Sequence, residues 1–155
     1  MEEVEIVPRA ITYLEEYRLN QLKEVHPQNS DMVETWKRPT QGRMKVNVDV
    51  DAGLDEGGVG LGVVMRDHAG SFVLAATKRM KDITDPTMGE ALAFEFGLQL
   101  VRQHHIASPT VESNCLTVVN STSGMVEVET EVGIVYRKIK KLLGRSITEA
   151  CGMCA

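Results

Sequence analysis

Residues Met44 to Asp51 read MKVNVDVD, and this octet decides the fold. Met44, Val46, Val48 and Val50 alternate with Lys45, Asn47, Asp49 and Asp51, the period-two pattern of a strand that buries one face. Asp49 and Asp51 therefore project from the same side of a stiff strand, where two neighbouring carboxylates repel each other. Such a side is expected either as the wet face of a half-exposed strand or as the start of a cation site.

The sequence after the octet continues in the same style. Asp55 to Gly58 is a polar turn, Val59 to Arg66 (VGLGVVMR) a second strand, Asp67 to Gly70 another turn, and Ser71 to Lys78 (SFVLAATK) a third strand. Three consecutive strands joined by short turns predict an antiparallel meander. Gly57, Gly58, Gly60 and Gly62 fit no GxGxxG register, and no Gly-Lys-Ser/Thr follows them, so they are read as turn and strand glycines rather than a phosphate loop.

Pro86 and Thr87 open a helix that runs to about His104. At roughly 100° per residue from Glu90, the residues Phe94, Gly97, Leu98 and Val101 lie within about 80°, while Glu95 and Gln99 lie opposite. Glu90 is thus the one charge in the stripe expected to face the core. An inward charge is costly unless it is paired, bound to metal or at the core's edge. The ordinary alternative is a glutamate near a helix N-terminus, favoured by the helix dipole and still wet. Glu95 is expected to be solvated.

Thr110 to Ser113 reads as a fourth strand and Cys115 to Ser121 as a helix, with Asn114 as its cap. Val128, Val132, Val135, Ile139 and Leu142 recur at helical spacing through Lys141, and Gly144 supplies the stop. Ser146 to Ala150 is a stub of a fifth strand. The order of elements is that of an α/β fold with a mixed sheet. An Asp on the first strand, an inward Glu on the long helix and a polar residue ending the fourth strand are a scaffold on which oxygen ligands for Mg²⁺ or Mn²⁺ could converge.

Charge divides the chain. Residues 1–36 hold eight acids against three bases, which accounts for the whole net charge of -5, and residues 37–155 are balanced. Ala10 to Val25 carries Ile11, Leu14, Tyr17, Leu22 and Val25 as a loose helical stripe, and Pro27 to Asp31 is a linker. The expected organisation is an acidic leading helix and linker in 1–35 and a folded domain in 36–155, with Trp36 anchoring its start. A neutral domain binds a polyanion only through local basic patches. Two exist: Lys78, Arg79 and Lys81, then Arg137, Lys138, Lys140, Lys141 and Arg145. Each is also what a solvated strand or helix end looks like.

No apolar run approaches a membrane span, and MEEVEIVPRA lacks the basic and apolar regions of a signal peptide. Three cysteines make no disulfide framework, so an intracellular location is expected, cytoplasm and nucleus being indistinguishable. Cys151 and Cys154 form a CxxC read as incidental, and His104 and His105 point too far apart on a helix to share a metal. No nucleophile, base and orienting group can be assembled for serine or cysteine catalysis.

The run WKRPTQGRMKVNVD, then GVGLGVVMRDHAG, GEALAFEFGLQL, and VESN followed by LTVV, resembles the plant ribonuclease H-like domain related to retroelement reverse-transcriptase proteins. The resemblance covers Trp36 to about Leu143. It implies a ribonuclease H-like fold, a five-stranded mixed sheet flanked by helices with its last strand short or missing, whose active members cut the RNA strand of RNA:DNA hybrids using Mg²⁺. The family's first-strand Asp maps onto Asp49 and its helix Glu onto Glu90, the implied metal ligands. The third catalytic carboxylate maps onto Asn114, and the fourth acidic position has no counterpart before the sequence ends at CGMCA. The family's Gly after the first-strand Asp is Val50 here. Asn offers a carbonyl oxygen without charge, so hybrid cleavage is expected to be weakened or lost. Asp51 and Glu112, each two residues from a mapped ligand, are the positions that could compensate. The alternatives are a non-catalytic, retroelement-derived protein-interaction module and a truncated product that folds poorly.

Overall fold

The computed structural model describes residues 37–51, 58–122, 129–144 and 149–152. Five strands and three helices follow in the order β1 (Met44–Asp51), β2 (Gly58–Arg66), β3 (Phe72–Lys81), α1 (Pro86–Gln103), β4 (Pro109–Ser113), α2 (Leu116–Thr122), α3 (Glu131–Leu143) and β5 (Glu149–Gly152). They build one sheet of order β3-β2-β1-β4-β5. The first three strands are antiparallel, and β1, β4 and β5 run parallel. This is the mixed sheet expected, with its last strand only four residues long. The expected leading helix, linker and Trp36, the turn at 55–57, Val128, Arg145 and Cys154 lie outside the described residues.

Local chemistry sets the joints. Between β2 and β3 the Asp67 carboxylate accepts from the amides of Ala69 (2.9 Å) and Ser71 (2.8 Å), and Gly70 takes the positive φ of +81° that its turn requires. Helix α1 starts at Asp85, whose side chain accepts from Thr87 N at 2.9 Å, with Pro86 in the first position. It ends with Ile106 N donating to Val101 O and His105 N to Arg102 O, His105 being left-handed at φ 51°, the paired bonds of a Schellman stop.

Helix α1 lies on the apolar face of β1 and β2. Val46, Val48, Val59, Leu61, Val63 and Met65 are buried there with Ala91, Phe94, Leu98 and Val101. Gly97 permits the contact, because a Cβ at that position would lie 2.6 Å from Val48 Cγ1. Helix α3 covers another side of α1 with Val135, Tyr136 and Ile139, while Arg137, Lys138 and Lys141 stay exposed. Its ends are Thr130, accepting from Gly133 N at 3.3 Å, and Gly144.

Two expectations fail. Glu95 is buried, at 8% exposure, and its carboxylate accepts from Gln99 Nε2 at 3.2 Å. A wheel with a single buried stripe misjudges a helix that packs on the sheet and on α3 at once. Asn114 does not cap α2: Ser113 Oγ accepts from Cys115 N at 3.1 Å, and the first helical bond runs from Val119 N to Cys115 O. The hydroxyl of Ser113 closes a turn just before the helix, Cys115 stands in the cap position, and the helix begins at Leu116.

Candidate metal and nucleic-acid site

The alternation that buries Val46 and Val48 and packs the half-buried Val50 against the core turns Lys45, Asn47, Asp49 and Asp51 to the opposite face of the sheet. Their cross-strand partners on β2 are Arg66, Val64, Gly62 and Gly60. On the other flank the parallel ladder pairs Asn47 with Glu112. Asn114 follows the end of β4, two residues beyond Glu112 and past the last pair of that ladder.

Glu112 is not a spare carboxylate. It is 7% exposed, with Oε1 2.7 Å from Lys45 Nζ and Oε2 accepting from Asn47 Nδ2 at 2.9 Å. Lys45 also donates to the Lys37 carbonyl. A buried anion needs this pairing, and it takes Glu112 out of the set that could compensate at Asn114. Nothing in a linear pattern reveals the cluster, since it depends on which strand pairs with β1. The one sequence signal was a lysine on the polar side of a strand otherwise carrying Asn and Asp.

Asp49 is exposed, its Oδ1 accepting from Val50 N at 2.9 Å. Glu90 reaches its neighbourhood because the preceding Gly89 sits against Val50 and Val59, a Cβ there lying 3.1 Å from Val50 Cγ2. The Glu90 side chain is half-buried, and its Oε2 is buried without a hydrogen-bond partner. Burial raises the Glu90 carboxyl above its ordinary 4.5, and the charge on Asp49 raises it further. Asn114 is exposed. Tertiary structure thus couples Asp49 with Glu90 electrostatically, while Asn114 follows the end of the strand that pairs with β1.

These groups fit a hard cation. The unpartnered Glu90 oxygen, the Asp49 carboxylate and an amide carbonyl are the oxygen donors that Mg²⁺ or Mn²⁺ takes, with water and substrate oxygens completing the shell. Among the described residues no group of three or more Asp, Glu, His or Cys is placed to hold an ion.

The first basic patch is split by the pleat. Lys78 pairs with Leu61 on the α1 side, its ammonium 6.0 Å from the centre of the Phe96 ring. Arg79 and Lys81 pair with Gly60 and Gly58, so they share the face of Asp49 and Asp51. The second patch lies on the exposed side of α3. No helix among the described residues is long and apolar enough to cross a membrane.

Comparison with known proteins agrees with this architecture. The profile of the reverse transcriptase-like family matches residues 47–149. Curated protein sequences give no match. Among solved structures the chain is similar to ribonuclease H1 of the halophilic archaeon Halobacterium salinarum, with a TM-score of 0.65 at 14% identity over 72% of this chain and 86% of that one. It is similar to LC11-RNase H1, from a compost metagenome, in complex with RNA/DNA hybrid: TM-score 0.59, 18% identity, 70% of this chain and 85% of that one. A foamy viral protease-reverse transcriptase in complex with RNA/DNA hybrid aligns with TM-score 0.55 and 13% identity over 83% of this chain but 20% of its own length. The strand order, the helix lying on β1 and the matched profile together place this chain in the reverse transcriptase-like family, with the ribonuclease H fold.

Proposed function

We propose that this chain is a nucleic-acid-binding domain for RNA:DNA hybrid, with a metal-dependent phosphodiesterase site whose activity is weakened or lost at Asn114. The observation that carries the reading is the buried, unpartnered Oε2 of Glu90 beside the Asp49 charge. Two carboxylates drawn together without a cation between them are unfavourable unless a ligand compensates. Two similar structures are described in complex with RNA/DNA hybrid, which supports the choice of ligand.

Each residue has a definable task. Asp49 and Glu90 would hold Mg²⁺ or Mn²⁺, which when bound supplies the charge that orients water and stabilises a leaving oxygen. Asn114 would turn its carbonyl oxygen to the site but adds no charge. Arg79 and Lys81, on the same face, would meet phosphates of the backbone, giving binding that is salt-sensitive and independent of sequence.

The test titrates labelled RNA:DNA hybrid and duplex DNA by fluorescence anisotropy at two salt concentrations. It also follows hybrid cleavage in Mg²⁺ and in Mn²⁺ for wild type and Asn114→Asp. Salt-sensitive hybrid binding, with cleavage absent or slow in wild type and higher in the variant, is expected. No hybrid binding at low salt refutes the proposal, and full cleavage by wild type refutes the role given to Asn114.

A further inference from the structure

We infer that the cleft between the C-terminal ends of α1 and α3 binds a phosphate-bearing small molecule of nucleotide size, its anion on Arg102 and Lys141 and its body on an aliphatic floor. The cleft has a volume of about 850 Å³, within the range of roughly 300–1,000 Å³ usual for small-molecule sites. It lies apart from the Asp49 and Glu90 carboxylates. Twelve residues of α1 separate Glu90 from Arg102, about 18 Å at the helical rise.

The lining has an apolar and a cationic part. Ile106, Leu142 and Leu143, half-buried against the core, form the first. Arg102, His105 and Lys141 stand exposed around them, and no acid is among the described residues that line the cleft. Neither Arg102 nor Lys141 has an ion-pair partner among the described residues. Helix C-termini attract cations, but two such ends carry only about half a negative charge each, so together they offset about one of the two full cations. The cleft keeps a net positive charge, to which His105 adds when protonated. Unpaired positive charge beside partly exposed aliphatic surface is satisfied by an anion joined to an apolar body. The planar fork of arginine matches phosphate oxygens in pairs, and lysine adds a point charge.

The loop after α1 gives the cleft its shape. His105 and Ser108 are both left-handed, at φ 51° and 53°, a conformation uncommon outside glycine. The amides of His105 and Ile106 donate to Arg102 O and Val101 O, and Pro109 opens β4 in register with Met44. These ties at either end of the loop set Ala107 and Ser108 in the wall of the cleft. The N-terminal ends of the same two helices flank a second cleft, of about 330 Å³, lined by Asp82, Asp85 and Glu131. Charge therefore directs an anion to one end of the helix pair only.

The experiment is isothermal titration calorimetry of the full chain with adenosine monophosphate, inorganic phosphate and adenosine. Wild type is compared with Arg102→Gln, Lys141→Gln and Ala107→Phe, the last filling the cleft without changing its charge, and circular dichroism verifies that each folds. Wild type is expected to bind the nucleotide at least tenfold more tightly than phosphate or adenosine, and each variant to lose at least tenfold. No binding of the nucleotide at millimolar concentration overturns the inference. So does phosphate or adenosine that binds as tightly as the nucleotide, or an affinity that Ala107→Phe leaves unchanged. RNA:DNA hybrid titrated into the same proteins is expected to bind all four alike. A loss of hybrid affinity in Arg102→Gln and Lys141→Gln would make the cleft part of a nucleic-acid surface and overturn the small-molecule assignment.

Discussion

The ion pair between Lys45 and Glu112 gives the sharpest energetic prediction. Their side chains are 8% and 9% exposed at a separation of 2.7 Å, and Asn47 donates to the second carboxylate oxygen. Removing one member strands the other where water cannot replace the lost partner. Lys45→Met leaves the Glu112 carboxylate with the Asn47 amide alone, and Glu112→Leu leaves the Lys45 ammonium with the Lys37 carbonyl. Each change should cost about 3–5 kcal/mol, so independent effects would sum to about 6–10 kcal/mol. The double variant strands no charge and loses little more than the hydrogen bond of the half-buried Asn47, so it should lie within about 1–2 kcal/mol of wild type. Urea unfolding of the full chain, followed by far-ultraviolet circular dichroism, reads all four corners of the cycle. Because the pair is buried, raising salt from about 0.05 to 0.5 M should move the coupling little. Single changes costing less than about 1 kcal/mol, or a double variant as unstable as the sum, would refute the reasoning.

Three further outcomes are expected. Gly97→Ala should destabilise by about 1–2 kcal/mol, since a Cβ 2.6 Å from Val48 Cγ1 costs more in overpacking than the helix gains in propensity. Gly89→Ala, with its nearest contact at 3.1 Å, should change stability by less than about 1 kcal/mol, and equal effects at the two sites in urea unfolding would contradict the packing described. In metal-free buffer the raised Glu90 carboxyl binds its proton more tightly folded than unfolded, so its penalty is absent below pH 4.5 and grows as pH rises through the interval up to the folded value. Glu90→Gln should therefore match wild type in urea unfolding at pH 4 and exceed it at pH 7; an unchanged difference across that range would exclude the desolvated carboxylate. Finally, Arg79→Ala and Lys81→Ala should each lower the salt slope of hybrid binding by about 1, while Lys138→Ala on α3 leaves it unchanged; the reverse ranking in the anisotropy titration would assign binding to the helix.

Much of the fold was legible because it is written in local periods. The alternation of MKVNVDVD fixed both the strand and the face that α1 covers, and Gly144 and Pro86 marked helix ends at the positions observed. The inward setting of Glu90 was also legible, since Phe94, Gly97, Leu98 and Val101 defined the buried stripe around it. Glu95 escaped the same reasoning because a periodic pattern reports one buried face, whereas α1 is enclosed on more than one. Asn114 does not cap the helix because the first helical bond ends on Cys115 O, which moves the start one residue past the position at which a polar residue would be a good cap.

Sequence by itself determined which side of each element is apolar, and therefore that Glu90 is a charge set in a core-facing stripe while Asp49 stands on the polar side of its strand. That is a matter of residue identity against a fixed period, with no need to know what packs on what. Only tertiary structure decided which carboxylates remain available. The parallel pairing of β1 with β4 delivers Glu112 to Lys45 and Asn47, whereas the charge of Asp49 is felt at Glu90, whose Oε2 is buried without a hydrogen-bond partner. Strand order is set by long-range burial, and from that order follows the difference between a carboxylate held by a lysine and one without such a partner.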